Sequence, residues 1–86
     1  MARVMDDVDT ARIRWRCRRG LKELDVLMER FAEDCLPRLS PPLIPVLERL
    51  LDEADSDLLE WIIGRTTPHA REYIPLIELL RSVNLL

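Results

Sequence analysis

Glycine and aromatic side chains are nearly missing from this chain: Gly20 and Gly64 are its only glycines, and aromatic residues make up 5% of it. That scarcity disfavours a β-sandwich or barrel, which draws on aromatic and β-branched residues for strands and on glycine for tight turns. No apolar run approaches the ~18 residues of a membrane span; the stretch 76–80 is the tail of an amphipathic pattern, interrupted by Glu78. Cys17 and Cys35 are too few and too far apart for a CxxC site, and with the lone His69 they offer no metal constellation. They read as two reduced, largely buried thiols on helices. A formal net charge of −3 argues against nucleic acid as the main partner. Residues 1–10 carry Asp6, Asp7 and Asp9, unlike secretory signals or mitochondrial presequences, which are basic or poor in acids. The expected location is therefore cytoplasmic, most simply in a bacterium.

What is present points to helices. With 86 residues, 48% apolar and 34% charged, the chain suits one soluble amphipathic domain whose stability comes from helix packing. Leu21, Leu24, Leu27, Met28, Phe31, Ala32, Cys35 and Leu36 recur at spacings of three and four, and Pro37 ends that stripe. Ser40 before Pro41 reads as an N-cap with proline in the first helical position, followed by Leu43, Val46, Leu47, Leu50 and Leu51. Pro45 obstructs so early a start and moves the regular helix to about residues 42–44. Asp55-Ser56-Asp57 supplies a cap and an acidic first turn for Leu58, Leu59, Trp61, Ile62 and Ile63, which Gly64 can close. A last segment begins near Thr67-Pro68 and carries Tyr73, Ile74, Ile77, Leu79, Leu80 and Val83; with Pro75 inside it, the helix starts late or bends there.

Residues 11–19 alternate as a strand would, but a lone strand has nothing to pair with. A helix instead stacks Arg12, Arg16 and Arg19 along one side and Val8, Ala11 and Trp15 on another. The expected architecture is all-α, a five-helix bundle in a single domain over residues 1–86, with 1–8 frayed and 84–86 a short tail. It is expected to be monomeric, because the apolar stripes suffice for one bundle and little more. Trp15 and Trp61 read as core or helix-junction anchors, and His69 as an exposed loop or first-turn residue. The acidic run 52–57 lacks the spacing of a calcium loop and reads as capping and a solvated turn.

The segment Arg18-Arg19-Gly20-Leu21-Lys22-Glu23-Leu24-Asp25 stands apart. A glycine between two helical stretches can take φ > 0 and lets another backbone come close. Arg19 and Glu23, four apart, would share a face if the helix continued. Read from physics alone, this is a helical corner with a solvated charge pair, or a planar cation and a carboxylate offered to another protein. Nothing in the chain forms a nucleophile–base pair, a phosphate-cradling loop or a dinucleotide fingerprint, so no enzyme is expected.

Arg19-Gly20-x-x-Glu23 resembles the RGxxE signature of the SdhE/YgfY family. The surrounding block Ala11-Arg12-Ile13-x-Trp15-x-Cys17-Arg18-Arg19-Gly20-x-x-Glu23-Leu24-Asp25 is similar to the family's opening segment. Leu39-Ser40, Leu50-Leu51 and Asp55-x-Asp57-Leu58-x-x-Trp61 follow in its order. The resemblance implies a five-helix bundle that binds the flavoprotein subunit of succinate dehydrogenase, and in bacteria also that of fumarate reductase. It implies that the bundle promotes covalent attachment of FAD to that client while holding no cofactor stably itself. By the same resemblance Arg19, Gly20 and Glu23 meet the client, with Arg12, Arg18 and Asp25 as further candidates on that face. Two other readings stay open: an antitoxin-like or regulatory partner of a membrane protein, and nucleic-acid binding through the arginines between Arg12 and Arg19.

Overall fold

Proline placement sets where two of the helices begin. In the computed structural model, which describes residues 7–84, five α-helices follow in order: α1 (Asp7–Arg16), α2 (Lys22–Asp34), α3 (Ile44–Leu50), α4 (Asp55–Ile63) and α5 (Ile74–Asn84). Single 3-10 turns, Pro41–Leu43 and Arg71–Tyr73, lead into α3 and α5, and both helices open with Ile-Pro. In the first helical turn a proline forfeits only an N–H that has no intrahelical acceptor. The N–H groups of Ile44 and Ile74 close the preceding turns on the carbonyls of Pro41 and Arg71. Helix α5 therefore starts late, at Ile74, and not near Thr67. Ser40 lies before the turn but makes no side-chain capping bond.

Helix α2 ends at Asp34, and a 3-10 turn at Leu36–Arg38 takes the chain past Pro37. Helix α4 corrects the expected cap. Asp55 is its first helical residue, Ala54 holds the cap position, and no side chain caps the end. At the other end Gly64 adopts φ +84°, where the Arg65 N–H reaches the Glu60 carbonyl at 2.9 Å and the Gly64 N–H reaches Trp61 at 3.2 Å. This Schellman closure requires the left-handed conformation that glycine takes without steric cost.

One apolar cluster joins the elements. Leu24, Leu27, Met28 and Phe31 of α2 are buried together with Leu58, Trp61 and Ile62 of α4 and Leu76, Ile77 and Leu80 of α5. The Cα radius of gyration of 12.2 Å is close to the ~12 Å expected of a compact chain this long.

Helix α1 is a helix, not a strand, but its inward face differs from the expected one. Ile13 and Cys17 are buried, whereas Ala11 is exposed and Trp15 is 71% exposed. Four residues of this segment, Arg12, Ile13, Arg16 and Cys17, fall within one arc of the helical wheel at 100° per residue, and Arg14, Trp15 and Arg18 fall opposite. The arginines that find acids on the bundle carry Ile13 and Cys17 inward and turn Trp15 out. Trp61 alone of the two tryptophans is a core anchor. Asp7 and Val8, expected to fray, lie within α1, and Asn84 ends α5; residues 1–6 and 85–86, also expected to be loose ends, lie outside the described residues.

Candidate functional site

Three arginines on one face of α1 and the turn after it meet three acids with the same spacing. Arg12 reaches Glu48 (Nη2 to Oε1, 3.3 Å), Arg16 pairs with Asp52, and Arg19 pairs with Asp55 (Nε to Oδ1, 2.6 Å). Both series step by four and then three, so each rung joins residues 36 positions apart, although Arg19 lies past the end of α1 and the acids run from α3 through the connection to α4. Along the arginines burial deepens toward the last rung, where the Arg19 side chain keeps 12% of its exposure.

Arg19 is the clamp of this corner. Besides Asp55 it donates to the carbonyls of Arg16 (3.1 Å), Leu51 (3.0 Å) and Glu53 (3.1 Å), so one guanidinium ties the end of α1 to the α3–α4 connection. A planar fork with five donors suits this task, and an ammonium would not span the same acceptors. The other carboxylate oxygen of Asp55 accepts the Gly20 N–H at 3.0 Å, and Asp25 accepts the Arg19 N–H at 2.8 Å. Burial pushes the Asp55 carboxyl up, but the Arg19 hydrogen bond and the Gly20 and Leu21 N–H groups outweigh it and hold the group below its ordinary range.

These contacts revise the expected pairing. The helix does not continue from Arg19 to Glu23. The chain leaves α1 after Arg16, and Arg19 turns inward to Asp55. Arg19 is thus an internal clamp, and not a cation displayed beside a carboxylate. Gly20 is exposed and does not use positive φ; among the described residues only Gly64 does. A Cβ at Gly20 would sit 3.5 Å from the nearer Asp55 oxygen, an ordinary contact, so the local backbone does not itself demand glycine. Glu23 lies exposed in the first turn of α2, and its side chain makes no hydrogen bond or ion pair. Of the weaker candidates, Asp25 belongs to the corner, Arg18 faces outward, and Arg12 stands at the outer rung of the ladder.

Sequence reading missed Asp55 as the organiser of this loop, because its partners lie 36 and 35 positions away. The acidic run 52–57 opens as a largely exposed turn, as expected, and three of its acids also accept hydrogen bonds from elsewhere in the bundle. Asp52 and Asp55 hold arginines, while Glu53 accepts from the Tyr73 hydroxyl at 2.9 Å and meets His69 Nε2 at 3.0 Å. The hydrogen bonds from Tyr73 and then His69 hold the Glu53 carboxyl below its usual range. His69 is an exposed loop residue, as expected, and it also stands edge-on to Trp61 at 5.5 Å. Among the described residues no three His, Cys, Asp or Glu side chains could hold a metal, and no helix is long and apolar enough to cross a membrane. Cys17 is buried just after α1, and Cys35 is half-buried at the end of α2. A cavity of about 300 Å³ opens beside the corner, lined by Arg14, Cys17, Arg18, Asp25, Glu29 and Ala32.

Residues 11–84 match the family model described as flavinator of succinate dehydrogenase. The chain is 37% identical over 73 residues to the FAD assembly factor SdhE of Coxiella burnetii, covering 85% of this chain and 89% of that one. To the FAD assembly factor SdhE of Legionella pneumophila it is 31% identical over 78 residues, 91% of this chain and 98% of the relative. The protein of the same name from Vibrio vulnificus is 45% identical over 56 residues, 65% of each chain. No solved structure matches.

Proposed function

The chain belongs to the family of succinate dehydrogenase flavinators, and from that premise we propose that it binds the flavoprotein subunit of that enzyme and promotes covalent attachment of FAD. It is an assembly factor and not itself an enzyme. Bond formation belongs to the flavin and to a histidine of the client, with protein surroundings supplying position and electrostatics. The bundle acts by binding the attachment-competent arrangement of its client better than others, which raises the population of that arrangement. FAD is cargo of the client and is not held stably here. The flavoprotein subunit of fumarate reductase is a second client under this reading, and the bacterial cytoplasm is the place of work.

Glu23 carries the reading. Its carboxylate is exposed and without an internal partner, next to an exposed Gly20 on a loop whose backbone Asp55 and Asp25 already fix. A carboxylate with no internal partner on a fixed loop is free to bond a client without first giving up a bond of its own. Gly20 leaves room for the client's backbone, and Arg19 contributes by holding the loop.

The test is in-gel flavin fluorescence of the apo flavoprotein subunit incubated with FAD, with and without this protein. Wild type should speed the appearance of denaturation-resistant fluorescence. Glu23→Ala and Gly20→Leu should fold normally and lose about tenfold or more of the effect. Leucine avoids adding a cation that would compete with Arg19 for Asp55. Stimulation by folded Glu23→Ala equal to wild type would remove this assignment. A folded wild type without effect on a competent client would point to an antitoxin-like or other adaptor role.

A further inference from the structure

Once the ladder is formed, the arginine-rich segment is no longer one continuous basic cluster. Arg12, Arg16 and Arg19 are paired with acids of the bundle. Arg14 and Arg18 have no carboxylate partner, and they flank Trp15 on the outward face, with the Arg18 guanidinium 5.4 Å from the centre of the indole ring. Lys22, the first residue of α2, is exposed and likewise without an acid. Among the described residues Trp15 is the most exposed of the large apolar side chains, at 71%. In a chain of net charge −3 this group is a local excess of positive charge around a bare aromatic.

We propose that Arg14, Trp15, Arg18 and Lys22 form a docking surface for an acidic segment of the flavoprotein client, with Trp15 as its anchor. The proposal rests on the function given above and extends the contact beyond Gly20 and Glu23. The occupant follows from charge complementarity: cations without internal partners around an exposed indole match carboxylates that bring an apolar side chain with them. Tryptophan and arginine are the residues that most often dominate protein interfaces, because each combines large area with a polar handle. Stacking by Arg18 holds the guanidinium and the ring in one arrangement before binding, which reduces the ordering cost. A nucleic-acid backbone is the poorer occupant. Three of the five arginines from Arg12 to Arg19 are already neutralised by acids of the bundle, which leaves too few cations for the series of phosphate contacts on which nucleic-acid affinity depends.

Association of the full chain with the apo flavoprotein subunit, followed by surface plasmon resonance over a range of salt, tests the surface. Trp15→Ala should weaken binding about 30-fold or more, mainly through faster dissociation. Arg14→Glu with Arg18→Glu should slow association about tenfold and flatten its salt dependence. These side chains are outward-facing, so helix content and melting temperature should stay at wild-type values. Arg71→Glu, a charge reversal in the turn before α5, is the control and should change little. Wild-type rates for both patch variants, with the wild type binding its client, would overturn the proposal and leave the function intact. Wild type that binds no client would overturn both. Capture of wild type but not the variants by anionic vesicles or a polynucleotide, with client binding unchanged, would assign the patch elsewhere and also overturn it.

Discussion

Removing the Asp55 carboxylate should destabilise the protein by about 2 kcal/mol. In Asp55→Ala the Arg19 guanidinium loses its one charged acceptor, and the Gly20 N–H loses its partner. A hydrogen bond to a charged group contributes roughly 1.5–3 kcal/mol, and breaking a fully buried pair costs about 3–5 kcal/mol. The lower range applies here, because Arg19 retains three carbonyl acceptors and Asp55 keeps 26% of its side-chain exposure. Gly20 is exposed, so water can replace its lost bond. For a domain of this size each kcal/mol moves the melting temperature by about 4–8 °C, so a drop of roughly 8–16 °C is expected. Urea melts with a double-mutant cycle on Arg19→Ala and Asp55→Ala isolate the pair, and a coupling of at least about 1 kcal/mol is expected. Additive effects would refute the clamp. The carboxyl is held below its unfolded value, so its stabilisation is present above the unfolded pKa near 4 and is lost as pH falls through the folded pKa. Between pH 5 and 2, wild type should therefore lose stability more steeply than Asp55→Asn.

The two glycines should respond in opposite ways. Gly64→Ala forces a Cβ into left-handed backbone and should cost about 1 kcal/mol in urea denaturation, whereas Gly20→Ala, with ordinary space for the Cβ, should leave stability unchanged or slightly improved. Burial pushes the Cys17 thiol up to about 11, with nearby arginines only partly opposing it. In native protein at pH 8, iodoacetamide should leave Cys17 unmodified by mass spectrometry while denatured protein is alkylated at both cysteines; rapid native labelling of Cys17 would contradict its burial.

Much of the fold follows from local pattern. The α2 stripe, the delayed starts at Pro45 and Pro75 and the closure at Gly64 each depend on residues within about four positions of one another. Such short-range constraints are legible because helix periodicity, the missing proline N–H and left-handed glycine act locally. The exposure of Trp15 departs from the expected anchor for a related reason. An arginine-rich helix has several apolar residues at comparable angles, and local periodicity alone does not choose which arc is buried.

The sequence by itself determined five helices and an RGxxE segment at the junction of the first two. Tertiary structure alone decided what those residues do. Only when α1 lies along the α3–α4 connection do Arg12, Arg16 and Arg19 meet Glu48, Asp52 and Asp55, side chains 36 positions away. That meeting turns Arg19 from a displayed cation into a clamp and leaves Glu23 without a partner. It also directs Trp15 to the surface, because an ion pair couples residues by distance in space and nothing in helix periodicity encodes that distance.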